Sequence, residues 1–246
     1  MKRFLRTAHR WLGLAMAAQI VAWMLSGLYF AWFPIETIRG EHLTRPAPPV
    51  TPEAARAAGL PDAVLAGLDE ALGAGWRLEG VTLASFGGAS AWRVSGTVGD
   101  QPFRRLVDAD GRVRPPLGET AARLRAESSL AAPAPVHGLE WVEAVPRGDE
   151  YRSGPLPAWR VQVGGEEPFR LYLDAWTGEV TARRTARWQV FDFLWMLHIL
   201  DFDTRDDFNT PWLQGAAFAG FLIALSGVVY WLLTTRLFRR RVPGRA

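Results

Sequence analysis

The chain has 246 residues, of which 49% are hydrophobic and 22% are charged, and it contains no cysteine. The lack of cysteine excludes disulfide scaffolds, iron–sulfur clusters, thiolate zinc sites and covalently attached c-type haem, since each needs sulfur. Residues 1–33 carry four basic and no acidic side chains, and residues 212–246 carry five basic and no acidic side chains. Residues 34–211 hold 19 arginines and 25 acidic residues, a net charge of −6. Because the basic ends flank apolar runs, the charge pattern indicates a membrane, and not a nucleic acid, as the partner.

Two uncharged runs predict membrane-spanning helices, one over residues 11–33 and one over residues 212–233. At about 1.5 Å of rise per residue, each run crosses a hydrocarbon core of about 30 Å. Gln19 and Ser26 are the strongly polar residues of the first run. A cleaved signal peptide is the alternative for this run, but no small-x-small cleavage site precedes Pro34, which favours an uncleaved anchor.

The basic flanks predict the topology. Under the positive-inside rule, both termini are cytoplasmic and residues 34–211 are periplasmic, as in a two-pass protein of the bacterial inner membrane. Small residues inside the spans predict close helix packing, with a cofactor or a partner helix against the glycines as the alternative. A homodimer or a larger complex is consistent with so small a bundle. The predicted packing residues are Gly13, Ser26, Gly27, Gly220, Ser226 and Gly227.

The middle of the chain contains an internal repeat. Thr51-Pro52-Glu53 is a helix-start signal, and extended stretches follow at 76–84, 91–98 and 102–108. The sequence Ala91-Trp92-Arg93-Val94 returns as Ala158-Trp159-Arg160-Val161, 67 residues later. Residues 119–131 supply a second helix. The pattern predicts two tandem α-β-β-β units packed as one α+β domain of about 140 residues, a usual domain size.

These residues resemble the PepSY family, whose repeat ends in a strand, an aspartate turn and a glycine, as in Tyr172 to Val180. The flanking spans resemble those of PepSY-associated membrane proteins through His9 to Leu14, Ser26 to Tyr29 and Leu197-His198. The resemblance implies two tandem PepSY-like repeats on a two-helix transmembrane hairpin. The corresponding repeat-motif residues are Trp92, Asp108, Gly111, Trp159, Asp174 and Gly178.

The resemblance also implies functions. Family members of this membrane architecture include siderophore-iron reductases with haem between helices and proteins encoded near iron-uptake receptors, and soluble relatives resemble the inhibitory pro-regions of peptidases. This chain departs from the reductases because it has two spans in place of their larger bundle.

The predicted organisation has eight segments. They are a cytoplasmic N-terminus (1–10), transmembrane helix one (11–33), a linker (34–50), PepSY-like repeat one (51–116), PepSY-like repeat two (117–186), an interfacial amphipathic helix with an acidic loop (187–211), transmembrane helix two (212–235) and a basic cytoplasmic tail (236–246).

Three histidines are candidate haem or metal ligands, because neutral imidazole is the ligand that remains without cysteine. His42 follows the first span and His198 precedes the second, on the same predicted side of the membrane, so we expect the two as a pair of ligands for a b-type haem. An interfacial histidine bonded to backbone is the alternative for His198. His9 lies about a bilayer away, so it would join only a second site. Helical spacing places Trp188, Phe191, Leu194, Trp195, His198 and Phe202 on one apolar face.

Charged clusters in the middle segment have ordinary explanations. Residues 201–209 begin like a calcium loop, but Arg205 stands at a ligand position and no terminal glutamate follows, so we expect a solvated acidic face. A weak divalent-cation or partner-docking site is the alternative. For Arg104-Arg105 and Arg183-Arg184 we expect surface charges, with contact to lipid headgroups or anions as the alternative.

Three functions remain open from the sequence. It carries no hydrolase, zincin, phosphate-loop or dinucleotide-binding motif. The first function is a non-catalytic periplasmic binding or accessory module of an envelope or iron-uptake system. The second is a haem- or metal-binding redox component, and the third is regulation of a peptidase.

Overall fold

The computed structural model describes residues 2–46, 61–86 and 89–234. They form two compact units, which we call the helical unit (residues 1–33 with 190–246) and the α+β unit (residues 34–189). The predicted helix start at Thr51 and the basic tail 236–246 lie outside the described residues. The elements are α1 (Lys2–Trp32), α2 (Ile35–Ile38), a 3-10 turn (Glu41–Leu43), α3 (Pro61–Leu72), β1 (Trp76–Phe86), β2 (Ala89–Val98), β3 (Gln101–Val107), α4 (Glu119–Ser129), β4 (Val136–Val142), β5 (Ala158–Val163), β6 (Phe169–Asp174), β7 (Val180–Arg184), α5 (Ala186–Ile199) and α6 (Pro211–Thr234).

The helical unit contains the two predicted spans. The stretches Arg10–Trp32 of α1 and Pro211–Val229 of α6 are long and apolar enough to cross a membrane. Large apolar side chains on both helices point outward, among them Leu25, which is 57% exposed, and Phe218, which is 64% exposed. Faces of this kind require an apolar solvent, so the two predicted membrane helices are confirmed.

Small residues contribute less to the packing of α1 against α6 than the sequence predicts. A methyl group added at Gly220 would lie 3.6 Å from Met16 and 3.9 Å from Trp23, so this glycine is a contact between the helices. No described atom lies within 4 Å of such a methyl group at Gly13, Gly27 or Gly227. Ser226 is exposed and bonds to the carbonyl of Ile223 in its own helix.

Helix α5 ends earlier than the apolar pattern suggests. Leu200 adopts a φ of 53°, a left-handed conformation that commonly terminates a helix. Phe202 therefore lies beyond α5 and is 60% exposed, so the prediction that it shares the helical face of His198 is wrong.

The acidic loop after α5 is built around one buried carboxylate. Asp201 is 6% exposed and accepts hydrogen bonds from the backbone N–H groups of Asp203, Thr204, Asp206 and Asp207 and from the Thr204 hydroxyl. Burial alone would raise its pKa, but these donors outweigh burial and lower the pKa. The sequence predicts a solvated acidic face for the whole loop. Asp203, Asp206 and Asp207 are exposed as expected, whereas Asp201 is buried.

The same loop folds back onto α5. Arg205 donates to Asp192 at 2.5 Å, and its carbonyl accepts the indole N–H of Trp195 at 3.1 Å. These bonds hold the loop against the helix that carries His198.

The α+β unit contains two antiparallel sheets, each preceded by a helix. The first has the order β1-β2-β3 and the second the order β4-β5-β6-β7. Val64 and Leu68 of α3 pack on the first sheet, whereas Ala122 and Ala126 of α4 pack on the second. The predicted α+β class is therefore confirmed, with the three predicted strands present as β1 to β3.

The second sheet has a fourth strand that the prediction lacks. Strand β7 pairs with β6 over four positions, whereas the first sheet has at this place a single bridge from Val107 to Val113. Pro115 and Pro116 follow that bridge, and proline has no N–H with which to extend a ladder. The chain instead leaves the first sheet, and Leu117 bonds to Ala175 through its N–H and to the Trp159 indole through its carbonyl.

Two aspartate turns occupy corresponding places in the sheets. The Gly111 N–H bonds to the Asp108 carbonyl, and the Gly178 N–H bonds to the Asp174 carbonyl, so the second turn is one residue longer. Asp174 is 2% exposed, and it accepts the N–H groups of Trp176 and Thr177.

The second turn also joins the sheets. Arg104 of β3 bonds to Asp174 at 3.0 Å and to Glu179 at 2.5 Å, and Arg93 of β2 bonds to Glu179 at 3.2 Å. The carboxylates of the second sheet therefore neutralise arginines of the first.

Two segments outside the repeat pattern are also ordered. Within the expected linker, Ile38 is 1% exposed. The Arg45 N–H donates to the Ser129 carbonyl, and the Ala131 N–H donates to the Leu43 carbonyl. In residues 146–157, the long connection between β4 and β5, Tyr151 stacks on Tyr172 with ring centroids 4.2 Å apart. Burial raises the pKa of Tyr151 to about 12.

We predict that Gly178→Ala destabilises the α+β unit more than Gly99→Ala does. Both glycines have a positive φ, 65° and 60°, but a methyl group at Gly178 would lie 2.4 Å from the Phe86 ring, whereas at Gly99 it meets open space. Backbone strain and overpacking together should cost about 3 kcal/mol at Gly178, against about 1 kcal/mol of strain at Gly99. Urea unfolding of the detergent-purified chain measures both, and equal losses would contradict the packing role.

We predict that Asp201→Asn loosens the acidic loop, because an amide cannot replace a carboxylate that accepts five hydrogen bonds. Cleavage by trypsin after Arg205 should accelerate about tenfold, the effect of losing charge-assisted bonds. Since the folded pKa is lowered, the wild-type loop should keep its protection against amide hydrogen exchange above the ordinary aspartate pKa of about 3.9 and lose it as the pH falls further. Asp110→Asn is the control, because Asp110 lies in an exposed turn and accepts a bond from the Arg112 N–H. If Asp110→Asn accelerated cleavage after Arg205 as much as Asp201→Asn does, the prediction would be refuted.

Candidate functional site

A polar contact between α1 and α5 positions His198. The Nδ1 atom of His198, in the last turn of α5, lies 2.7 Å from the Ser26 hydroxyl oxygen. Ser26 is fully buried, and His198 is half-buried. Of the predicted packing residues, Ser26 thus has a partner on α5.

The neighbours of Ser26 indicate which tautomer His198 adopts. The Ser26 oxygen also lies 2.8 Å from the Ala22 carbonyl and 3.0 Å from the Trp23 carbonyl, and carbonyls only accept. The single hydroxyl hydrogen therefore serves these carbonyls, and Ser26 accepts from Nδ1–H of His198. This tautomer leaves the lone pair of the imidazole on Nε2.

Two more side chains of α1 bond to the end of α5. The Trp23 indole donates to the His198 carbonyl at 2.8 Å, and Gln19 donates to the Leu197 carbonyl at 3.1 Å. The last carbonyls of a helix lack partners within that helix, so α1 completes this terminus. The spacing of Gln19, Trp23 and Ser26, four and then three residues apart, marks one helical face and was the available sequence signal.

Aromatic rings surround the His198 imidazole. Trp195 is stacked parallel to it with centroids 6.3 Å apart, and the rings of Phe30 and Trp23 lie 5.8 and 6.5 Å away. Burial lowers the pKa of His198, so the ring is neutral at pH 7. The site presents a neutral, oriented imidazole in apolar surroundings.

This geometry suits ligation better than nucleophilic catalysis. A serine beside a histidine can form a nucleophile–base pair. Here, however, Ser26 is fully buried and its hydrogen serves backbone carbonyls, so a substrate could not reach its oxygen.

His42 belongs to a separate site in the α+β unit. Its Nε2 atom lies 3.2 Å from Glu167, beside a cleft of about 550 Å³ that we call the His42 cleft. The cleft is lined by His42, Leu43, Leu130, Ala131, Ala132, Pro133, Ala134, Gly164, Gly165, Glu166, Glu167 and Phe169. The predicted pairing of His42 with His198 joins residues of different units and stays a prediction.

The other two histidines lie elsewhere. His9 is in α1, 17 residues before Ser26 and thus about 25 Å along the helix axis, and its side chain is outside the described residues. His137 is in β4, where its ring packs over Gly164 so closely that an added methyl group would lie 2.3 Å from Nε2. Within residues 2–46, 61–86 and 89–234, no three histidine or carboxylate side chains are grouped to hold a metal ion.

Comparison with known proteins identifies the family. A family model described as the PepSY-associated TM region matches residues 6–246. No curated protein and no solved structure is detectably similar to the chain. The match extends over both membrane helices and the α+β unit between them, and the chain therefore belongs to the family of the PepSY-associated TM region.

Proposed function

We propose that the protein is a two-pass inner-membrane protein whose α+β unit lies in the periplasm as a non-catalytic binding or accessory module of an envelope or iron-uptake system. The basic residues that flank both spans support this orientation. The corresponding aspartate turns, at Asp108 and Asp174, support the interpretation of the α+β unit as two tandem PepSY-like repeats.

The observation that carries this proposal is the His42 cleft. Leu43 is a partly exposed apolar residue of the cleft, whose floor is formed by the buried Leu130 and Phe169, and Glu166 and Glu167 supply negative charge at the β5–β6 turn. Residues 131–134, which line the cleft, have only alanine and proline side chains. A cleft of this composition fits an extended peptide segment that carries a basic residue.

The cleft should crosslink to its partner in intact cells. A photo-crosslinking amino acid in place of the exposed Ala132, which lines the cleft, should give a defined adduct, and one at the exposed Arg112 should give none. Glu166→Gln combined with Glu167→Gln should reduce the adduct about fivefold, since exposed charge pairs contribute modestly. An adduct that forms equally from position 112, or one that the double variant leaves at the wild-type level, would contradict the proposal.

A second candidate function is haem binding, which the His198 geometry favours. Haem ligands commonly have their other ring nitrogen fixed by a hydrogen bond, as Ser26 fixes Nδ1. His198 would hold a b-type haem through Nε2, with His42 as the predicted second ligand and His9 at a separate site. The haem would supply one-electron transfer. The rings of Trp195, Phe30 and Trp23 would shield the His198 imidazole from water.

Absorption spectra test this second function. Protein expressed with haem supply should show a Soret band that His198→Ala abolishes, and Ser26→Ala should weaken haem affinity about tenfold by releasing the ring. Ser226→Ala is the matched control, because that serine bonds within its own membrane helix. A band unchanged by His198→Ala would exclude this ligand, and retention of the band in His42→Ala would exclude the predicted pairing.

A further inference from the structure

A basic pocket lies beside the edge strand β7 of the α+β unit. Its volume is about 370 Å³, and its lining is mainly polar. We call it the Arg183 pocket, and it is lined by Arg39, Glu41, Thr181, Ala182, Arg183, Arg184 and Trp188. It shares no residue with the His42 cleft.

The pocket carries excess positive charge. Its lining includes three arginines and one acidic residue, Glu41, whose carboxylate lies 4.0 Å from Arg39. Arg183 is half-buried and donates through Nε to Thr44 at 2.6 Å, which fixes its head group. Burial lowers the pKa of Arg183, and Glu41 only partly offsets this. An anion in the pocket would therefore be stabilised by oriented, partly desolvated guanidinium groups.

An indole ring forms part of the wall. Trp188 is 8% exposed, and the Arg184 guanidinium lies 4.0 Å from its ring centroid. Arginine and tryptophan together are typical of the headgroup layer of a bilayer, where one end of the side chain is apolar and the other is polar.

The pocket is lined by residues that are close in sequence to both points at which the chain connects the two units. Arg39 follows the last residue of the first span, Trp32, by seven residues, which extend over at most about 25 Å. Trp188, on the other side of the pocket, is two residues before Val190, where the chain re-enters the helical unit. Both walls are thus next to the points at which the α+β unit is joined to the membrane helices.

We propose that the Arg183 pocket binds the phosphodiester of an anionic phospholipid headgroup. Arg39 and Arg183 contact the phosphate oxygens, and Arg184 and Trp188 form the wall beside the glycerol. The proposal goes beyond the proposed function and does not depend on it.

Calorimetric titration of the full chain in an uncharged detergent tests the lipid site. Short-chain phosphatidylglycerol should bind about tenfold more tightly than phosphatidylcholine of the same chain length and than inorganic phosphate. Arg183→Gln should weaken phosphatidylglycerol binding about tenfold, and the exposed Arg39→Gln about threefold.

Two control variants test whether the loss of phosphatidylglycerol affinity is specific to the arginines of the pocket. Thr44→Val removes the bond to Arg183 but keeps the guanidinium, so binding should remain within about threefold of the wild type. Arg112→Gln removes an exposed arginine of the turn after β3 and should leave the affinity for phosphatidylglycerol unchanged. Equal affinity for phosphatidylcholine, equal affinity for inorganic phosphate, or an equal loss in Arg112→Gln would each overturn the proposal.

Discussion

The helical unit depends on the need to satisfy polar groups where water is scarce. A helix that ends beside a membrane span leaves its last carbonyls without partners, and each such group is costly in apolar surroundings. Gln19 and Trp23 meet the carbonyls of Leu197 and His198. Ser26 completes the same face and orients the His198 ring. The polar residues of the first span therefore explain both the packing of α5 against α1 and the orientation of the His198 imidazole.

Charge has a comparable role in the α+β unit. Asp174 is nearly fully buried, and a buried carboxylate is tolerated only when donors and a cation surround it. Its own turn supplies two N–H groups, and Arg104 supplies the cation from the other sheet. The motif aspartate is thus a turn residue and a link between the sheets.

Local patterns predicted much of this structure. The spans, the three strands and the aspartate turns follow from runs, alternation and turn residues within a few positions. The contact between Ser26 and His198 joins residues 172 apart, and no local pattern determines such a contact. The extra strand β7 was missed because the repeat suggested equal halves, whereas the prolines after Val113 make the halves unequal. The extent of α5 was misjudged because apolar spacing continues past Leu200, where the backbone turns left-handed.

The proline-terminated connection after Val113 determines how the chain passes from the first sheet to the second. Leu117, directly after the two prolines, is bonded to Ala175 and Trp159 of the second half. The chain is therefore anchored to the second sheet directly after the prolines, and the two sheets are joined to each other by the ion pair of Arg104 with Asp174.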